Sequence, residues 1–110
     1  MRKIFREYVM ATKGFECTMS FYDDFTEAEK QGAVAISKAY TKAIRRCKHD
    51  VKAMTELLIT LQYLEYYSWK YGFEHITKAY ERQQMRMVRY AAKELSDVGY
   101  ETIRKYAFYL

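Results

Sequence analysis

Apolar and polar positions along this chain follow two different periods. From Phe15 to Phe21 the apolar Phe15, Cys17, Met19 and Phe21 alternate with Glu16, Thr18 and Ser20. That is the period-two pattern of a half-buried strand. The preceding run from Ile4 to Met10 is rich in aromatic and β-branched residues. Ala11-Thr12-Lys13-Gly14 separates the two runs, and a glycine there suits the positive φ of a tight turn. The pattern predicts a β-hairpin over residues 1–22. A lone hairpin is marginal in water, so it is expected to pack on the helices downstream.

From residue 26 the period becomes helical. Thr26-Glu27-Ala28-Glu29 reads as a capping box, in which a hydroxyl and a carboxylate bond the free amides of a first turn. Asp23, Asp24, Glu27 and Glu29 crowd this start, and Arg45, Arg46 and Lys48 crowd the other end, in the sense that complements the macrodipole. Ile36, Ala39, Tyr40, Ala43, Ile44 and Cys47 form the apolar stripe of this first helix. Asp50 is a suitable N-cap for a second, running to about Tyr71 with Gly72 just beyond. Met54, Leu57, Leu58, Leu61, Leu64 and Trp69 leave it little polar surface, which predicts a central position. A third helix spans about Glu74 to Leu95, with Ile76, Ala79, Tyr80, Met87, Val88, Ala91 and Leu95 on its core face. Ser96 and Asp97 offer a cap for a shorter last helix carrying Val98, Ile103, Tyr106 and Phe108. The expected fold is mostly α with an α+β element. An N-terminal β-hairpin (1–22) precedes a three- to four-helix antiparallel bundle (26–110), in one domain over residues 1–110.

Composition sharpens this picture. The 110 residues include no proline, four glycines and 12 tyrosines. The first two counts favour long uninterrupted helices. The third favours interfaces, where tyrosine supplies rigid area and a hydroxyl that tolerates water. The most apolar stretch, Leu57 to Tyr71, contains Gln62, Glu65 and Lys70. It is shorter than the ~20 apolar residues of a bilayer span, so no membrane association is expected. MRKIFREYV is charged, and no apolar run with a small-residue cleavage site follows it. With only Cys17 and Cys47, the chain is read as cytoplasmic, with both thiols reduced and buried as small apolar residues.

Catalytic chemistry finds no foothold in the pattern. Cys47, His49, His75 and Cys17 are the candidate soft ligands, but no CxxC, HxxxH or ExxH is present, so no metal is expected. Glycine-rich phosphate loops are absent. No nucleophile, base and orienting group present themselves together. The chain is read as a non-enzyme with no cofactor.

Two features point to binding instead. Lys78, Arg82, Arg86, Arg89 and Lys93 on the third helix are spaced by four, four, three and four. At 100° per residue they share an arc of about 80° and form a row about 22 Å long. A weaker row, Lys38, Lys42, Arg45 and His49, runs along the first helix. Such rows dock on acidic protein grooves or neutralise phosphates. The second feature is the aromatic set Tyr63, Tyr66, Tyr67, Trp69 and Tyr71. Five aromatics on two turns cannot all face one core, so some are left for a homodimer seam or a partner hot spot, with Tyr63 and Tyr67 the chosen candidates. Net charge of +5 is modest for a dedicated DNA binder and is diluted by 14 acids. The expectation is therefore a protein-binding module with an acidic partner, and nucleic-acid binding through the third-helix row is the alternative. A short, basic, tyrosine-rich chain without motifs resembles, in general character, small accessory proteins of phages and mobile elements. That resemblance implies an inhibitor acting by stoichiometric blockade of a host effector.

Overall fold

A computed structural model describes residues 19–107, and these form five helices joined by short turns. They are α1 (Met19–Glu29), α2 (Ala33–Cys47), α3 (Val51–Lys70), α4 (Glu74–Glu94) and α5 (Asp97–Ala107). No strand occurs among the described residues. This corrects the hairpin expected over residues 1–22. Its final residues, Met19 to Tyr22, are the first turn of α1, and residues 1–18 lie outside the described part. Phe21, Tyr22, Phe25, Ala28 and Glu29 are all buried. Their spacing is that of one helical face, and the short alternating run upstream masked it.

The expected first helix is likewise two helices. Thr26 lies inside α1, where its hydroxyl donates to the Asp23 carbonyl at 3.2 Å instead of capping a first turn. Glu29 ends α1 and accepts a hydrogen bond from the Tyr80 hydroxyl of α4. The chain then breaks at Gly32, whose φ of 111° lies where side-chain-bearing residues are strained. α1 folds back on α2. Asp24 pairs with Arg46 at 3.1 Å, and the Arg46 guanidinium lies over the Phe21 ring at 5.4 Å.

Other boundaries follow their local signals. The Asp50 carboxylate accepts from the amides of Lys52 and Ala53 at 3.0 and 3.3 Å, the N-cap of α3. At the other end the Gly72 amide bonds the Trp69 carbonyl and the Phe73 amide bonds the Ser68 carbonyl. That is a Schellman closure, with Gly72 at φ 82°. The Ser96 hydroxyl accepts from the Gly99 amide at 3.3 Å and opens α5.

The core is built around α3. Met54, Leu57, Leu58, Leu61 and Leu64 are fully buried, together with Ile36, Tyr80, Met87 and Ile103 from the surrounding helices. α3 and α4 are antiparallel: Ser68 meets Thr77 across their turn, and farther along Gln84 bonds Glu65. α5 runs beside α3, and the Gln62 amide donates to the Tyr106 carbonyl at 2.6 Å. Trp69, expected in the core, is 66% exposed, because on the last turn of α3 the buried Ser68 takes the side facing α4 and Trp69 falls on the outward side. Phe108 lies outside the described residues. No described helix is long and apolar enough to cross a membrane.

Candidate partner-binding face

α2 and α4 lie side by side and run in the same direction: Ser37 and Thr41 of α2 meet Arg86 of α4, and His49 beyond α2 meets Tyr90 and Glu94 farther along. Arg86 fastens the two helices. Its guanidinium donates to the Ser37 hydroxyl at 3.0 Å, the Thr41 hydroxyl at 3.0 Å and the Gln83 side-chain carbonyl at 2.8 Å. It also lies over the Tyr40 ring at 4.5 Å. Tyr40 itself is buried, and its hydroxyl has no hydrogen-bond partner among the described residues. Burial pushes the Tyr40 phenol well above its ordinary value, against a smaller opposing effect from the Arg86 charge.

The row of five bases is therefore not uniform. Arg86 is a half-buried clamp whose donors are engaged within the chain. Lys78 pairs with Glu74 at 3.1 Å. Arg82, Arg89 and Lys93 are exposed, and no described carboxylate pairs with them. On α2, Lys38, Lys42 and Arg45 are exposed and unpaired in the same sense. His49, the last member of that row, stands 3.9 Å from Glu94 and against Tyr90.

The two triplets line separate depressions: Arg82 and Arg89 lie beside Val34 and Ser37, and Lys38, Lys42 and Arg45 lie beside Arg46 and Lys48. Both helices turn their apolar stripes to the common core, so each basic row lies on the solvent side of its own helix. A groove between them is lined by Ala33, Val34 and Ser37 of α2 and by Arg82, Met85 and Arg89 of α4, among others. Val34 is 70% exposed and Met85 60%. Thus α2 carries a second set of exposed cations that the third-helix row alone did not reveal, and its signal was the second, weaker row.

The aromatic set lies elsewhere, on α3. Tyr63 packs on Tyr67 at 4.9 Å between ring centroids, and Tyr66 packs edge-on to Tyr67 at 5.1 Å. Burial and a hydrogen bond to Tyr67 push the Tyr63 phenol up to about 12. Tyr66 is 47% exposed and continues to Trp69 at 6.1 Å. Tyr63 and Tyr67 are mostly turned into this stack, so the outward members are Tyr66 and Trp69. The basic and aromatic candidates do not form one site.

Cys47 is a buried free thiol, and burial pushes it up to about 11. No three His, Cys, Asp or Glu side chains gather as metal ligands among the described residues. Neither protein-family models, nor curated proteins, nor solved structures give a match to this chain.

Proposed function

We propose that this protein is a non-enzymatic protein-binding module that docks its α2–α4 basic face on an acidic surface of a partner. The observation that carries the reading is the set of six exposed cations, Lys38, Lys42, Arg45, Arg82, Arg89 and Lys93, none paired with a described carboxylate. Elsewhere the chain does supply partners, as for Arg46 with Asp24 and Lys78 with Glu74. Concentrated like charge raises the local potential, steers an oppositely charged partner and fixes its register. Arginine adds planar, bidentate donors for carboxylates. Val34 and Met85, exposed in the groove beside Arg82 and Arg89, give that partner apolar area to cover. Occupation of an acidic surface in this way fits the stoichiometric blockade implied by the likeness to phage accessory inhibitors.

Affinity capture with the tagged chain tests the reading. The bait is used as wild type and as Arg82→Glu/Arg89→Glu/Lys93→Glu, from lysate with and without nuclease. An acidic polypeptide retained after nuclease and lost with the variant is the expected result. Loss of all capture after nuclease would assign the face to nucleic acid. Equal capture by the variant would remove the face from the mechanism. Arg86 is deliberately left intact, since reversing it would disturb the joint between α2 and α4.

A further inference from the structure

We infer that the exposed aromatic strip near the end of α3 is a docking site for this chain's own C-terminal residues, Phe108, Tyr109 and Leu110. At 100° per residue, Val51, Thr55, Gln62, Tyr66 and Trp69 fall within an arc of about 60° and form one stripe along α3. α5 lies over the first part of that stripe. Gly99 stands so close to Val51 that a Cβ on it would be 3.1 Å from Val51 Cγ2, and the Gln62 amide reaches the Tyr106 carbonyl at 2.6 Å. The two helices therefore run in the same direction, with the start of α5 beside Val51 and its end beside Gln62. Trp69 is about 10 Å farther along the axis than Gln62. α5 is described only to Ala107, so Tyr66 and Trp69 continue a covered stripe into solvent.

The chain leaves α5 heading along this stripe, and its reach fits. From Tyr106 to Leu110 it advances about 6 Å as helix, which is level with Tyr66, and up to about 13 Å when extended, which is level with Trp69. The composition fits as well. Phe108, Tyr109 and Leu110 carry no side-chain charge and offer two rings and a branched aliphatic chain. Tyr66 and Trp69 lie 6.1 Å apart with tilted rings, and rings gain from edge and offset contact with further rings beyond the area they bury. Tethering selects this occupant over a second copy. The tail is anchored beside Gln62 and acts at the high effective concentration of a short linker, whereas a second copy loses translational and rotational freedom on binding. Covered by its own tail, the strip is withdrawn from the surface open to partners.

Trp69 is the single tryptophan of the chain, so tryptophan fluorescence reads this one place. The wild type is compared with a variant lacking residues 108–110 and with full-length Phe108→Ser/Leu110→Ser. Both changes are expected to shift the emission to the red. Both should also raise the acrylamide quenching constant toward that of free N-acetyltryptophanamide, while the circular dichroism stays helical. Should the deletion disturb α5, the full-length double variant decides. Emission and quenching that match the wild type in the helical variants overturn the inference, because Trp69 then does not feel the tail. Protection of Trp69 that appears only as protein concentration rises assigns the cover to a second copy and overturns it equally.

Discussion

Arg86 illustrates how far residue spacing alone can carry an argument. Periodicity placed it correctly in a row with Arg82 and Arg89, yet its partners Ser37 and Thr41 lie 49 and 45 positions away. Nothing local to α4 foretells them, so a clamp looked like a ligand-binding group. Replacing Arg86 with Ala removes several charge-assisted hydrogen bonds and a ring contact, and leaves two hydroxyls short of a donor. The expected loss is about 2–3 kcal/mol in urea unfolding, and Arg86→Lys should recover less than half because an ammonium lacks the planar fork. A loss under about 0.5 kcal/mol would return Arg86 to the ordinary surface class. Cys47 makes a complementary case, since the sequence reading of a small buried apolar residue agrees with its burial. Its thiol is raised from 9.0 to about 11 by burial foremost, so folding disfavours the thiolate. The stability associated with this group is complete below about pH 9 and is lost as pH rises toward 11. Urea midpoints against pH should fall across that window in the wild type, and less steeply in Cys47→Ala. Parallel curves would show that the thiol does not feel its burial.

At the scale of elements, the legible boundaries are those with a chemical signal confined to a few residues. Asp50, Gly72 and Ser96 each announce a helix end, and each makes the hydrogen bonds that its type predicts. The illegible ones depended on context. Thr26 and Glu29 have the spacing of a capping box, but Glu29 is drawn to Tyr80 of a distant helix. Phe21 and Phe25 are claimed by a core that a strand from 15 to 21 could not have reached in the same register. Tertiary burial decided between two locally acceptable periods. Two substitutions probe elements whose origin is plain. Gly72→Ala meets no atom within 4 Å of the added methyl, so only its positive φ opposes the change, by about 1–2 kcal/mol. Leu61→Ala opens a cavity at the centre of α3 and should cost about 2–5 kcal/mol. A cost below about 1 kcal/mol for Leu61→Ala would mean that α3 is not the axis of the core.

For the whole molecule, the distribution of charge matters more than its net value of +5. Described ion pairs such as Asp24–Arg46 and Lys78–Glu74 are exposed, and exposed pairs contribute little. On α2 and α4 six cations face solvent, and neighbours within each row stand about 4.5–10 Å apart along the axis, comparable with the screening length of about 8 Å in physiological salt. The free protein should therefore hold unrelieved repulsion there, which an acidic partner would relieve on binding. Raising sodium chloride to about 0.5 M shortens the screening length to a few ångströms. It should raise the melting temperature of the isolated chain by a few degrees, since each kcal/mol moves a domain of this size by about 4–8 °C. Arg82→Glu/Arg89→Glu/Lys93→Glu replaces three cations by acids on the helix packed beside α2. That variant should melt higher at low salt and lose the salt dependence, even as it loses its partner. A wild-type melting temperature that falls with salt would mean that the surface ion pairs dominate the electrostatics. The cations would then be ordinary solvated side chains, with no energy stored for recognition.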